Sequence, residues 1–158
     1  MKIVSGGQTG VDRAALDAAL EAGLPCGGFV PRGRLAEDGP IPARYPLTEC
    51  ESEDYAVRTG LNVLGSDATL ILYEGELSGG TLLTAGLCRR HGKPVFTLAL
   101  GREPPEAAAE RCRAFIRRAR PSILNVAGPR ESGSPGVYGR SLAVLKRVFA
   151  GSPDGKAP

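Results

Sequence analysis

The chain has no tryptophan, one methionine and one histidine, and aromatic residues make up only 5% of it. So few flat side chains offer little for nucleobases to stack on, and a nucleic-acid partner is not expected. The single histidine, His91, stands beside Gly92 and reads as part of a helix C-terminal turn. That leaves no base for a Ser-His-Asp or Cys-His catalytic set. The four cysteines, Cys26, Cys50, Cys88 and Cys112, include no CxxC pair. Their spacing fits neither a zinc site nor a disulfide scaffold, and reduced, packed thiols are expected. No apolar run approaches the roughly 18–20 residues of a membrane span. Met1 leads almost directly into a strand-like Ile3-Val4, not into a basic and then apolar leader. A cytoplasmic protein without a membrane partner is the expectation. Lys+Arg 20 against Asp+Glu 17 leaves a net charge of +3, too mild to call for a polyanionic surface. At 158 residues the chain suits one domain with its own core and is short for two.

Glycine is abundant: 22 of 158 residues, about 14%, twice the usual ~7%. It follows no G-X-Y period and gathers at corners between strand-like and helix-like segments. Lys2 to Ser5 reads as a buried strand, Gly6 to Gly10 as a turn, and Val11 to Ala22 as an alanine-rich helix ended by Gly23 and Pro25. Cys26 to Val30 reads as one short strand. Pro31 to Cys50, with four prolines, shows no sustained period and reads as a long loop of functional interest. A helix follows from Ser52-Glu53-Asp54 to about Leu64, then the strand Asp67 to Tyr73, a second glycine corner and a helix over Thr81 to His91. Pro94 to Leu98, a helix opened by Pro104-Pro105-Glu106, the strand Ile123 to Ala127, a loop and the helix Val137 to Ala150 complete residues 1–150. The polar stretch 151–158 reads as a flexible tail. Strands alternating with helices predict an α/β fold: a single Rossmann-like domain, its mostly parallel sheet covered by helices on both faces. Ligands in such folds sit beyond the carboxyl ends of the strands, where strand order reverses.

Five groups of residues carry possible chemistry. Ser5-Gly6-Gly7-Gln8-Thr9-Gly10 turns backbone N–H groups toward one point at a helix start, a geometry that suits phosphate or another oxyanion. The same residues also read as a tight turn, with Thr9 as N-cap and Asp12 completing a box-like cap. Ser78-Gly79-Gly80-Thr81 repeats the pattern after another strand, so two corners can grip two ends of an elongated anion. Pro31 to Cys50 supplies Arg32 and Arg34 for bidentate phosphate pairing, and Glu37-Asp38 as an acid/base pair, as metal ligands or as charges of a solvated loop. On the helix after Asp54, Tyr55, Arg58, Thr59 and Asn62 fall within about 100° of arc, facing a cleft or solvent, while Val57, Leu61 and Leu64 take the other side. Asn125, Arg130, Glu131 and Ser132 stand at the last strand's end.

The stretches SGGQTGVDRAALDAAL, GGFVPRGRLAEDGPIPARYPLTE, YAVRTGLNVLGSDATLIL, SGGT and LNVAGPRESGSPGVY cover most of residues 3 to 138. Together they resemble the molybdenum-cofactor carrier proteins. Those belong to a Rossmann-like superfamily shared with DNA-processing protein A and the cytokinin-activating phosphoribohydrolases. The resemblance implies a homo-oligomer (dimer or tetramer) that stores or protects molybdenum cofactor as bound cargo, with no catalytic metal. The motif matches include Asp12, Glu37 and Asp38, and the residues expected to contact ligand are Gly6, Gly7, Gln8, Thr9, Gly10, Arg32, Gly33, Arg58, Thr59, Asn62, Ser78, Gly79, Gly80 and Thr81. Where the phosphoribohydrolases have PGGxGTxxE, this chain reads Ser78-Gly79-Gly80-Thr81-Leu82-Leu83-Thr84 and lacks the glutamate that helps cleave an N-glycosidic bond. A carrier of a phosphate-bearing anion is therefore expected. The alternative is a nucleotide or nucleoside-monophosphate hydrolase using Glu37, Asp38 or Asp12 as general base.

Overall fold

The computed structural model of the chain describes residues 1–150; the tail expected over 151–158 lies outside the described residues. The chain runs β1 (Lys2–Val4), α1 (Val11–Glu21), β2 (Cys26–Gly27), β3 (Phe29–Val30), β4 (Leu35–Ala36), β5 (Gly39–Pro40) and β6 (Thr48–Glu49). It continues through α2 (Tyr55–Leu64), β7 (Ala68–Tyr73), α3 (Gly79–Arg90), β8 (Val95–Ala99), α4 (Pro105–Ala119), β9 (Ile123–Ala127) and α5 (Val137–Ala150). Five strands form a wholly parallel sheet in the order β2-β1-β9-β7-β8. Helices α1, α4 and α5 pack together over one face, α2 and α3 over the other. The Rossmann-like α/β fold expected from the alternation is the observed one.

Packing explains the elements. In β7, Leu70 and Leu72 point into the core under α1, α4 and α5, while Thr69 and Ile71 are buried on the opposite face. Each such buried aliphatic side chain contributes roughly 1.5–3 kcal/mol, which is why this run needs no alternation. Helix α1 meets the sheet through Ala14, Ala15, Ala18 and Ala19, all buried, and their small side chains let it approach closely. Sheet order steps outward from β1 to β2 on one side and from β7 to β8 on the other, with β9 between the two halves. The carboxyl ends of β1, β9 and β7 therefore lie side by side at the switch point, each followed by one of the chain's glycine-bearing corners.

Four local readings need correction. The strand expected over Cys26 to Val30 divides at Gly28, whose φ is +130° and where a Cβ would run into the Ser5 carbonyl oxygen. Past that bend β2 stays in the central sheet and β3 pairs with β6. Residues 31–50 are also more ordered than a loop: β4 and β5 form a hairpin, and Ile41 and Tyr45 are buried with Leu16 and Val30 in a small second core. Prolines leave neighbouring carbonyls without local N–H partners. Arg34 adds donors of its own, to the carbonyls of Ile41, Pro42, Tyr45 and Leu47 at 2.9–3.4 Å. Helix α3 starts at Gly79, not Thr81. In α1 the N-cap is Gly10 without a side-chain cap, and Thr9 bonds elsewhere.

Candidate functional site

At the first corner, Ser5 Oγ donates to the Val126 carbonyl at 2.7 Å and ties the end of β1 to β9. Gly6 has no room for a side chain, because a Cβ there would occupy the place of the Arg58 guanidinium. Gln8 Oε1 accepts from the backbone N–H groups of Thr9 (3.1 Å) and Glu37 (2.9 Å). Those two donors identify the amide oxygen and fix the orientation of the group. Its other end, Nε2, is buried and has no hydrogen-bond partner. Asp12 Oδ2 accepts from Gln8 N–H and from Arg58 Nη1, both at 3.2 Å. Burial pushes the Asp12 carboxyl above its ordinary value, and the Arg58 charge opposes that rise. Arg58 Nε is likewise buried without a partner.

The second corner brings Ser78 to Thr81 to the same place. Ser78 is the N-cap of α3 but its side chain caps nothing; the Thr81 N–H donates to the Ser78 carbonyl at 3.1 Å, and the start of the helix carries the positive end of its dipole. Away from this cleft, α2 is capped in the ordinary way, Asp54 accepting from Ala56 N–H at 2.8 Å. The two corners and the end of β9 enclose a cleft of about 270 Å³, near the lower bound for ligand pockets. Its walls are Gln8 and Asp12, Arg58 and Thr59 of α2, Ser78 to Thr81 with Thr84, and Ala127 to Arg130 with Gly133.

Seven of the expected binding residues meet in this cleft: Gln8, Arg58, Thr59, Ser78, Gly79, Gly80 and Thr81. The others stand elsewhere. Gly6 lies under Arg58, and Gly7 is backed by the Val30, Ile41 and Leu47 side chains. Arg32 pairs with Glu53 at 3.3 Å, and Gly33 N–H donates to Glu49 at 2.7 Å. Asn62 exchanges two hydrogen bonds with the Phe29 backbone, at 2.8 and 2.9 Å, and holds β3 against α2. Asn125 donates to Thr69 Oγ1 inside the sheet at 3.3 Å. Thr84, Ala127, Gly128, Pro129 and Gly133 line the cleft without having been singled out. The signals for them were the three-residue step from Thr81 to Thr84, one turn of helix, and a Gly-Pro pair directly after a strand.

The loop carboxylates are structural fasteners. Thr9 Oγ1 donates to Glu37 and accepts from Glu131 N–H at 3.1 Å. Ser132 donates to Glu37 through N–H (3.1 Å) and Oγ (2.5 Å). These bonds, Ser132's first, hold the Glu37 carboxyl below its usual range. Arg13 grips Asp38 with two bonds, at 2.9 and 3.0 Å, and lowers its pKa as well. Neither acid lines the cleft. A shallower groove of about 350 Å³ runs past Thr9, Gly10, Arg13, Asp17, Arg44, Tyr45, Glu131 and Tyr138. Its polar side chains have partners within the fold: both tyrosine hydroxyls donate to Asp17 at 2.7–2.8 Å, and Arg13 is held by Asp38. Burial, reinforced by the Asp17 hydrogen bond, pushes each hydroxyl up to about 12. Unsatisfied donors distinguish the cleft from this groove.

The family model for the circularly permutated YpsA SLOG family matches residues 3–149. The chain belongs to this family. A crystal structure of a putative molybdenum carrier protein from Syntrophus aciditrophicus SB superposes on this SLOG chain with a TM-score of 0.90. The two are 44% identical, over 94% of this chain and 93% of that one. The resemblance to molybdenum carrier proteins, read from the sequence motifs, therefore holds along nearly the whole chain. No curated protein matches. Among the described residues no cluster of three or more His, Cys, Asp or Glu side chains is placed to hold a metal ion. No described helix is long and apolar enough to cross a membrane.

Proposed function

We propose that this protein binds and carries a phosphate-bearing anion in the cleft between its two glycine corners, with molybdenum cofactor as the cargo. The observation that carries the reading is the meeting in one cleft of the uncapped N-terminus of α3 with Gln8 and Arg58, each of which holds a buried donor without a partner. A buried unpaired donor costs roughly 1–3 kcal/mol, and an acceptor on a ligand removes that cost. Helix N-termini and backbone N–H groups favour anions for the same electrostatic reason. The proposed contacts are Gln8, Arg58, Thr59, Ser78, Gly79, Gly80 and Thr81. A cleft of this size would enclose the phosphate end, and the remainder of the cargo would lie along its open mouth. The family comparison supports a carrier: the related protein from Syntrophus aciditrophicus SB is described as a putative molybdenum carrier. The hydrolase alternative draws no support from Glu37 and Asp38, which hold the hairpin. The four cysteines are free thiols, which supports the cytoplasmic placement; cell fractionation checks it.

The test is a heat-shift titration with molybdenum cofactor, AMP and ADP-ribose, alongside a search for released base from nucleoside monophosphates. A ligand at 100 times its Kd should add roughly 2.7 kcal/mol of stability, with no turnover. No stabilisation by any of the three contradicts the proposal, and steady release of base returns the hydrolase reading.

A further inference from the structure

Two residues that line the cleft, Gln8 and Arg58, hold donors that the fold leaves without acceptors. Gln8 is 5% exposed and Arg58 9% exposed, and Gln8 Nε2 and Arg58 Nε are both unpartnered. They come from different elements, the first corner and α2, yet both residues are fastened to one atom, Asp12 Oδ2. Asp12 thus fixes the Gln8 backbone and the Arg58 guanidinium beside each other. The Gln8 amide cannot turn over, because its oxygen already receives two backbone N–H groups and a flip would set donors against donors. The Arg58 guanidinium, seated where Gly6 lacks a side chain, is equally confined.

We infer that Gln8 and Arg58 form an oxoanion subsite of their own at the floor of the cleft, separate from the α3 corner, with Gln8 as its specificity-determining residue. This inference rests on the reading of the cleft as an anion site and adds a second point of attachment within it. The Asp12–Arg58 pair is neutral as a unit, so the floor selects by donor geometry. The subsite takes the acceptor oxygens of a tetrahedral group and turns away a group that presents protons. An inorganic oxoanion and the phosphate of a larger ligand share that chemistry, and molybdate and AMP represent the two sources.

Molybdate is the first probe, because anomalous scattering places molybdenum in a crystal without any variant. Crystals of the full chain soaked in molybdate should show a peak next to Gln8 Nε2 and Arg58 Nε. A peak only at Ser78 to Thr81, or only on the outer surface, overturns the subsite. Molybdate held by Ser78 to Thr81 would still leave the anion-binding reading of the cleft standing. In solution, Gln8→Glu keeps the oxygen that Thr9 and Glu37 need and replaces the free donor by an acceptor. Its Kd for molybdate should rise roughly tenfold or more, as should its Kd for AMP if the phosphate of AMP takes the floor. An unchanged molybdate Kd overturns the subsite, and an unchanged AMP Kd confines it to inorganic oxoanions. Should Gln8→Glu unfold, Arg58→Lys keeps the charge beside Asp12, removes Nε, and is read in the same way. If wild type binds none of molybdate, inorganic phosphate and AMP, the reading of the cleft itself fails.

Discussion

Asn62 shows how a polar side chain on an inward helix face can belong to the fold and not to a ligand. Its amide completes both halves of a peptide-like pair with Phe29, accepting from the N–H at 2.8 Å and donating to the carbonyl at 2.9 Å. Asn62→Ala leaves both Phe29 groups without those partners and should cost roughly 1–3 kcal/mol. Urea denaturation should show a lower midpoint at unchanged slope, with anion affinity unaltered. An unchanged midpoint, or a loss of affinity alone, would return Asn62 to the binding set. Gln8 is the opposite case, since its oxygen is satisfied within the fold and its nitrogen is not. From the sequence, Gln8 and Asn62 were equivalent candidates. Only the count of hydrogen bonds made by each separates them, and that count depends on partners 29 and 33 residues away.

The β4–β5 hairpin is the element most dependent on charge. Glu37 joins it to Thr9 at the first corner and to Ser132 beyond β9, and Asp38 joins it to Arg13 of α1. Both carboxyls, and Glu74 held by Arg140, titrate below their ordinary values of 3.8 to 4.5 in the folded chain. A carboxylate depressed in this way contributes stability that is fully present above its unfolded pKa and is lost as pH falls through the lower folded value. Asp12 runs the other way, because its raised value is a penalty that disappears on acidification. The hairpin should therefore loosen below about pH 4 while the cleft floor does not. At neutral pH, Glu37→Ala should speed hydrogen exchange at the Glu37 and Ser132 amides and leave the sheet protected. Equal protection in variant and wild type would show that Glu37 is not a fastener. Element types outside residues 26–50 were largely legible, because β7 is a continuous apolar run and the helices carry periodic faces and punctuating glycines. The orientation of α2 was not. Arg58 and Asn62 turn inward while Val57 and Leu64 stay exposed, since the inner polar face has a carboxylate and a backbone strand to meet. Residues 31–50 were opaque for a related reason: Arg34 organises them through carbonyls, which no side-chain pattern records.

For the whole molecule, the parallel sheet places three strand ends side by side, and the cleft lies where they meet. That location followed from the alternation of strands and helices alone. Among the described residues, helices α2 and α3 also carry four of the six exposed large apolar side chains, Val57, Leu64, Leu82 and Leu83. The family resemblance implies a homo-oligomer, and sedimentation checks it: if these side chains form its contact, Leu82→Glu should lower the sedimentation mass toward that of one chain, and a wild type that sediments as a monomer at micromolar concentration contradicts the expectation. Whether the cleft is where the cargo sits is settled most directly by a crystal of the complex with whichever phosphorylated ligand gives the largest heat shift. Its phosphorus should lie within the cleft, against the first turn of α3 or against Gln8 and Arg58. Phosphorus in the groove beside Asp17, Tyr45 and Tyr138, with the cleft holding only water, would contradict the account.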